Sequence, residues 1–137
     1  MDKIKYKGGY KYQLTEDYSI KIPIYPDKAV LTPYINLYED GRLIIFRGYA
    51  WDGPSGPTID TPSFMRGSLV HDALYQLMRE SHISHSVYRP MADKILRDIC
   101  IKDGMNKYIA EIVYQAVFRF ASIASLPENN KKVIEAP

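Results

Sequence analysis

His71 and Asp72 stand side by side in a stretch of helical periodicity. An imidazole next to a carboxylate is the pairing from which acid–base and metal chemistry are built. Neighbours on a helix point about 100° apart, so one can face a cleft while the other braces it. His71 shares its face with Ser68, Leu74, Tyr75 and Met78, and Asp72 lies near Gln76 and Arg79. A second carboxylate, Asp93, follows Arg89 by one turn. If the two helices pack antiparallel, as their short connection favours, Asp93 approaches His71 or Asp72. An imidazole with two carboxylates suits a divalent cation, which makes His71, Asp72 and Asp93 the candidate metal ligands. Asp52 is a further candidate, as ligand or general base. The same residues admit a structural reading. Asp72 would pair with Arg79, His71 would satisfy a loop carbonyl, and Arg66, Arg79 or Arg89 would neutralise a carboxylate whose unpaired burial is costly.

Several sharper templates fail. Metal-dependent phosphohydrolases of the His-Asp type need a histidine upstream of the doublet, and the histidines here are His71, His82 and His85. No HExxH helix, P-loop or dinucleotide fingerprint occurs. Ser55 lies in GPSGP, where Gly56 and Pro57 block the helix that a nucleophile elbow requires. Cys100 has no paired base and reads as a core thiol. His82 and His85, three apart in ESHISHS, read as solvated rather than as ligands joining His71. Lys3, Lys5, Lys7 and Lys11, with Tyr6, Tyr10 and Tyr12, resemble an aromatic-basic nucleic-acid surface. Their alternation is already explained by the wet face of an edge strand, where lysines discourage aggregation.

The elements that must position these residues fall into two halves. From Lys3 to about Trp51 the apolar signal has period two, as in half-buried strands. Tyr18, Ile20, Ile22 and Ile24 alternate with Ser19, Lys21 and Pro23, and Ile35 to Phe46 reads as a hairpin turning at Asp40-Gly41. That dipeptide suits a tight primed turn, in which both central residues take positive φ. WDGPSGPTIDTP, from Trp51, is a stiff loop presenting Asp52, Ser55, Thr58 and Asp60. A helix then starts at Pro62, with Thr61 as N-cap, and runs to about Arg79. Its apolar side is Leu69, Val70, Ala73, Leu74, Leu77 and Met78. A second helix is expected from near Arg89-Pro90 to Gly104, burying Ala92, Ile95, Leu96 and Ile99. A third runs from about Asn106 to Ser122. Its Ile109, Ile112, Val113, Ala116 and Phe120 are expected to face inward, with Lys107, Glu111, Gln115 and Arg119 in a solvated stripe. The fold class is α+β: an N-terminal antiparallel sheet with hairpins, then a three-helix half. Residues 1–126 form one domain in this reading, and 127–137 a flexible tail.

Composition removes whole classes of function. With 137 residues, 46% hydrophobic and 25% charged, the chain is globular rather than disordered. A net charge of +2 argues against electrostatically driven nucleic-acid binding. One cysteine excludes an internal disulfide. Four polar residues at helical spacing argue against a membrane span in the third helix. The opening MDKIKYKGGY has no apolar run behind its basic residues and is not a signal peptide.

Three motifs recur together here: Asp52-Gly53 with Ser55 and Pro57, then His71-Asp72 with Leu74 and Tyr75, then Arg89 with Ala92 and Asp93. In that order, over residues 45–120, they resemble an uncharacterised family of phages and prophages, domain of unknown function 1353. The resemblance implies a phage-encoded protein acting in the host cytoplasm or on the virion. It also implies that the shared polar positions form a site. One function is then a metal-dependent hydrolase of a phosphoester or cell-wall bond. His71, Asp72 and Asp93 would hold a divalent ion, Asp52 would be the general base, and Arg89 or Arg66 would stabilise developing charge. The alternative is a binding protein without turnover. It would sequester a small anionic host nucleotide signal or dock a host factor, with Ser55, Arg66 and Tyr75 lining the ligand. A purely structural cluster is the third possibility.

Overall fold

Alternation of apolar and polar residues becomes strands up to Trp51, and helical spacing becomes helices from Pro62. The computed structural model describes residues 3–7, 12–51 and 62–120. Those before and after residue 52 group into two separate units. The expected loop 52–61 and the tail 127–137 lie outside the described residues.

The first unit is antiparallel throughout. β1 (Tyr6–Lys7), β2 (Tyr12–Leu14) and β7 (Ala50–Trp51) form one three-stranded sheet in the order β1-β2-β7. β3 (Tyr18–Lys21), β4 (Val30–Leu31), β5 (Ile35–Leu37) and β6 (Arg42–Ile45) form a second, in the order β3-β6-β5-β4. Every second residue of β5 and β6 is buried: Ile35, Leu37, Leu43 and Ile45 have no exposed surface. β1 is an edge strand, as the lysine alternation suggests, and exposed Lys5 just before it pairs with Glu16 at 2.7 Å.

The β5–β6 hairpin departs from the expected primed turn. Gly41 N–H donates to the Tyr38 carbonyl at 3.0 Å, and Tyr38 N–H donates to the Arg42 carbonyl at 2.9 Å. Of Asp40 and Gly41, only Gly41 has positive φ, at 88°. This is a three-residue loop, a turn followed by a left-handed bulge residue, so one positive φ suffices instead of two. Asp40 is still used, its Oδ1 accepting from Arg42 N–H at 3.1 Å.

The second unit holds α1 (Pro62–Arg79), α2 (His85–Lys102) and α3 (Lys107–Phe120). All six residues expected on the apolar side of α1 are fully buried. α2 begins earlier than expected. Ser84 caps it with an extended backbone, its side chain accepting from Val87 N–H, and Pro90 sits inside the helix. The proline forfeits its bond to the carbonyl of Ser86, which is an exposed residue. α1 and α2 run antiparallel and close together at Gly67. A Cβ there would lie 2.9 Å from Cys100 Sγ and 3.2 Å from the Leu96 carbonyl oxygen. Phe64, Leu96, Cys100 and Val113 form a cluster drawing on all three helices. α3 is rotated from the expected facing: Ala110 and Val113 are buried, whereas Ile109 is 55% and Ile112 68% exposed. Small Ala110 lets the helix approach α2, and the two isoleucines turn outward. No helix among the described residues is long and apolar enough to cross a membrane.

Candidate functional site

Asp93 is the anomaly around which the helical unit is built, a carboxylate with no exposed surface. A buried carboxylate persists only where donors replace its water. Three do so. Tyr75 Oη donates to Oδ1 at 2.6 Å, His71 Nε2 meets the same oxygen at 2.8 Å, and Arg89 Nη1 reaches Oδ2 at 3.4 Å. The arrangement follows from two i,i+4 spacings. His71 and Tyr75 lie one above the other on α1, with ring centroids 4.1 Å apart, and Arg89 and Asp93 do the same on α2. Antiparallel packing brings the two pairs face to face.

The network assigns the protons. A carboxylate only accepts, so Nε2 of His71 carries the hydrogen that points at Asp93. No described residue hydrogen-bonds Nδ1. Burial, and then the Asp93 carboxylate, push the Tyr75 phenol far above its ordinary range, so it stays a donor. His71 is 7% exposed, close to the surface but held from within.

The structure thus brings together His71, Tyr75, Arg89 and Asp93. Asp72, expected as a ligand, is only half-buried, and its charge acts on Tyr75. No three His, Cys, Asp or Glu side chains gather into a group able to hold a metal ion among the described residues. The expected three-ligand set is therefore not assembled there. Both donors reaching Oδ1 occupy lone pairs that a cation would need. Arg66, expected to receive an anion, is instead buried and committed to Asp103. Its Nε and Nη2 donate to the two carboxylate oxygens at 2.9 and 2.8 Å. Tyr75, expected to line a ligand, spends its hydroxyl on Asp93. Asp52 and Ser55 lie outside the described residues. His82 faces Glu80 at 3.6 Å on the surface.

Two participants escaped the sequence reading. Asp103 follows the end of α2 and pairs with Arg66 across 37 positions. Phe118 of α3 lies under the Arg89 guanidinium, 4.5 Å from ring centroid to carbon, and its carbonyl accepts from Arg89 Nη1 at 3.4 Å. Antiparallel pairing gives the signal for the first: partners on α1 and α2 have position numbers summing to a near-constant value. Nothing in the sequence marks Phe118.

Cys100 fits the core-thiol expectation, being fully buried at the α1–α2 seam. Burial, with Asp103 adding to it, pushes the thiol up to about 12. Because the unfolded chain ionises its thiol at a lower pH than the folded one, this group favours unfolding progressively above about pH 9. At neutral pH, iodoacetamide is expected to leave the native protein unmodified while labelling the urea-unfolded chain fully. Labelling of the native thiol at the unfolded rate would show that the seam opens freely.

No protein-family model matches this chain, and neither do curated proteins or solved structures.

Proposed function

We propose that the His71–Asp93 pair is the acid–base centre of a small hydrolase, acting on a phosphoester or a cell-wall bond in a phage setting. The 2.8 Å contact between Nε2 of His71 and a fully buried carboxylate carries the reading. Such a carboxylate fixes the ring's tautomer and stabilises the imidazolium that forms when Nδ1 accepts a proton. Water is the nucleophile. His71 Nδ1 takes one of its protons, the oxygen attacks the phosphorus or carbonyl carbon, and the imidazolium returns the proton to the leaving oxygen or nitrogen. With Asp93 satisfied by protons and Asp72 outside any ligand group among the described residues, His71 serves in this reading as a base rather than as a metal ligand. The phage setting, in host cytoplasm or virion, is supported by the order of the three motifs alone.

One observation favours a second reading, a binding module or fixed scaffold without turnover. Asp93 is satisfied entirely by its own chain, and Arg89 extends the network to the Phe118 carbonyl, tying all three helices together. A ligand such as a small anionic nucleotide would then leave chemically unchanged. Wild type and His71→Gln, whose amide N–H can take the place of Nε2 toward Asp93, are assayed on activated phosphodiesters and on peptidoglycan with and without a chelator to separate the two. Turnover is expected to fall about 10²–10⁴-fold in the variant, the usual contribution of a general base, with its thermal midpoint little changed. If wild type turns over neither bond, or the variant matches it, the hydrolase reading is lost and the binding reading stands.

A further inference from the structure

We infer that the outward face of α3 pairs two copies of this chain, antiparallel about a two-fold axis at Ile112. The inference stands apart from the acid–base reading and does not depend on it. α3 is a surface helix of its unit, with Ala110 and Val113 buried beneath it. At about 100° per residue, the line opposite those two runs through Tyr108, Ile112, Gln115 and Arg119, with Ile109 and Ala116 beside it. A helix line turned to water is expected to be polar. Here Tyr108 is 72%, Ile109 55% and Ile112 68% exposed, and Ala116 is exposed as well. Three large apolar side chains bared together present roughly a few hundred Å², the scale on which a surface patch marks an interaction site. Phe118, on the flank toward α2, is the contrast: it is 38% exposed but lies under the Arg89 guanidinium.

Pattern, charge and area together specify a second copy as the occupant. Rotation about an axis through Ile112 sets that residue against itself, Tyr108 against Ala116 and Ile109 against Gln115. The largest side chain of the stripe thus meets the smallest, which lets the two helices interdigitate. Glu111, the one acid of α3, is drawn to Arg97 of α2 at 3.7 Å. Lys107 stands one turn before it on the same flank, 5.7 Å from the Tyr108 ring centroid. The stripe itself keeps one charge, Arg119 in its last turn. Antiparallel pairing sends the two Arg119 side chains to opposite ends, about 20 Å apart along the axis, where parallel pairing would oppose them. The whole chain adds little repulsion, with a net charge of +2. An anionic lipid surface would call for cations along the flank, where Glu111 stands instead. The stripe is smaller than the roughly 800 Å² that each partner gives a standard interface, so the dimer is reversible, dissociating between micromolar and millimolar concentration.

Sedimentation velocity of the full chain over a concentration series tests this. Wild type is expected to shift from monomer to dimer as concentration rises. Ile112→Asp should weaken the association about tenfold or more, since the dimer would bury two facing carboxylates. The position is exposed, so the dilute variant should unfold at the wild-type thermal midpoint. Disulfide trapping reads the register, with Cys100 buried and out of reach. Under mild oxidation Ile112→Cys should cross-link to itself. Tyr108→Cys, about 12 Å from its symmetry mate along the axis, should not. Wild type that stays monomeric up to millimolar concentration overturns the proposal, as does an Ile112→Asp variant that dimerises equally. Cross-linking as ready at position 108 as at 112 overturns the antiparallel register. Monomeric wild type that binds anionic vesicles would assign the face to a lipid surface. A lowered midpoint in dilute Ile112→Asp would assign it to further residues of the same chain. Either result removes the dimer.

Discussion

Asp93→Leu is expected to destabilise the protein by about 3–5 kcal/mol, the range found when one member of a buried ionic network is removed. Leucine shares the branching of aspartate and is the larger side chain, so the loss is not a cavity effect. It comes from three donors, on His71, Tyr75 and Arg89, deprived together of their common acceptor. Asp93→Asn should cost less, about 1–3 kcal/mol, since an amide still accepts at one atom. Its effect on turnover should nevertheless be the larger share, because an amide leaves the imidazolium without a counter-charge. Urea unfolding followed by helical circular dichroism measures the first quantity, and the phosphodiester assay the second. A leucine variant as stable as wild type would show that the polar centre does not hold α1 to α2. An asparagine variant as active as wild type would show that Asp93 does not act through His71.

Gly41→Ala should be the most damaging small change in the sheet unit. The residue sits at φ 88°, where a Cβ strains the backbone by about 1–2 kcal/mol. The added carbon would also lie 2.3 Å from the Ile22 carbonyl oxygen, so the backbone must move. Movement loosens the Ile22 N–H bond to the Gly41 carbonyl, 2.9 Å long, which registers the chain after β3 against the hairpin. Strain and contact together are expected to cost about 3 kcal/mol or more. Gly104 is the control: at φ 102° a Cβ would meet nothing within 4 Å, so alanine there incurs strain alone. The single tryptophan, Trp51, ends the sheet unit in β7 and reports the Gly41 loss by fluorescence, while helical circular dichroism reports the Gly104 loss in the other unit. Equal losses at both glycines would mean that the close approach to Ile22 contributes nothing.

How far the molecule was legible differs between elements for physical reasons. Period-two alternation located the strands because a strand's two faces really do differ in burial, as Leu37 and Leu43 show. The turn type was less legible, since Asp-Gly suits both a primed turn and a bulged one and only loop length separates them. The start of α2 was misplaced because Pro90 reads as a first-turn residue, whereas the Ser84 hydroxyl supplies the actual cap. α3 carries two adjacent apolar stripes, Ile109 with Ile112 and Ala110 with Val113. Hydrophobicity favours the first, while close packing selects the stripe containing the small residue. At the candidate site, antiparallel helices with a short connection made Asp93 legible as a partner of His71 or Asp72, and the structure brings it to His71. Asp72 joins no ligand group among the described residues, since adjacency in sequence on a helix means divergence in space.

The hydrogen bonds that build the polar centre and its flanks have a kinetic consequence. They join residues 18, 22 and 29 positions apart, all within the helical hairpin and its third helix. Contacts of such short chain separation form early, because little loop entropy is lost before they are made. Strand β7 finds β2 only after a separation of about 40 residues has been closed. The helical unit can therefore nucleate on its own connection between Arg79 and His85, ahead of the pairing of β7 with β2.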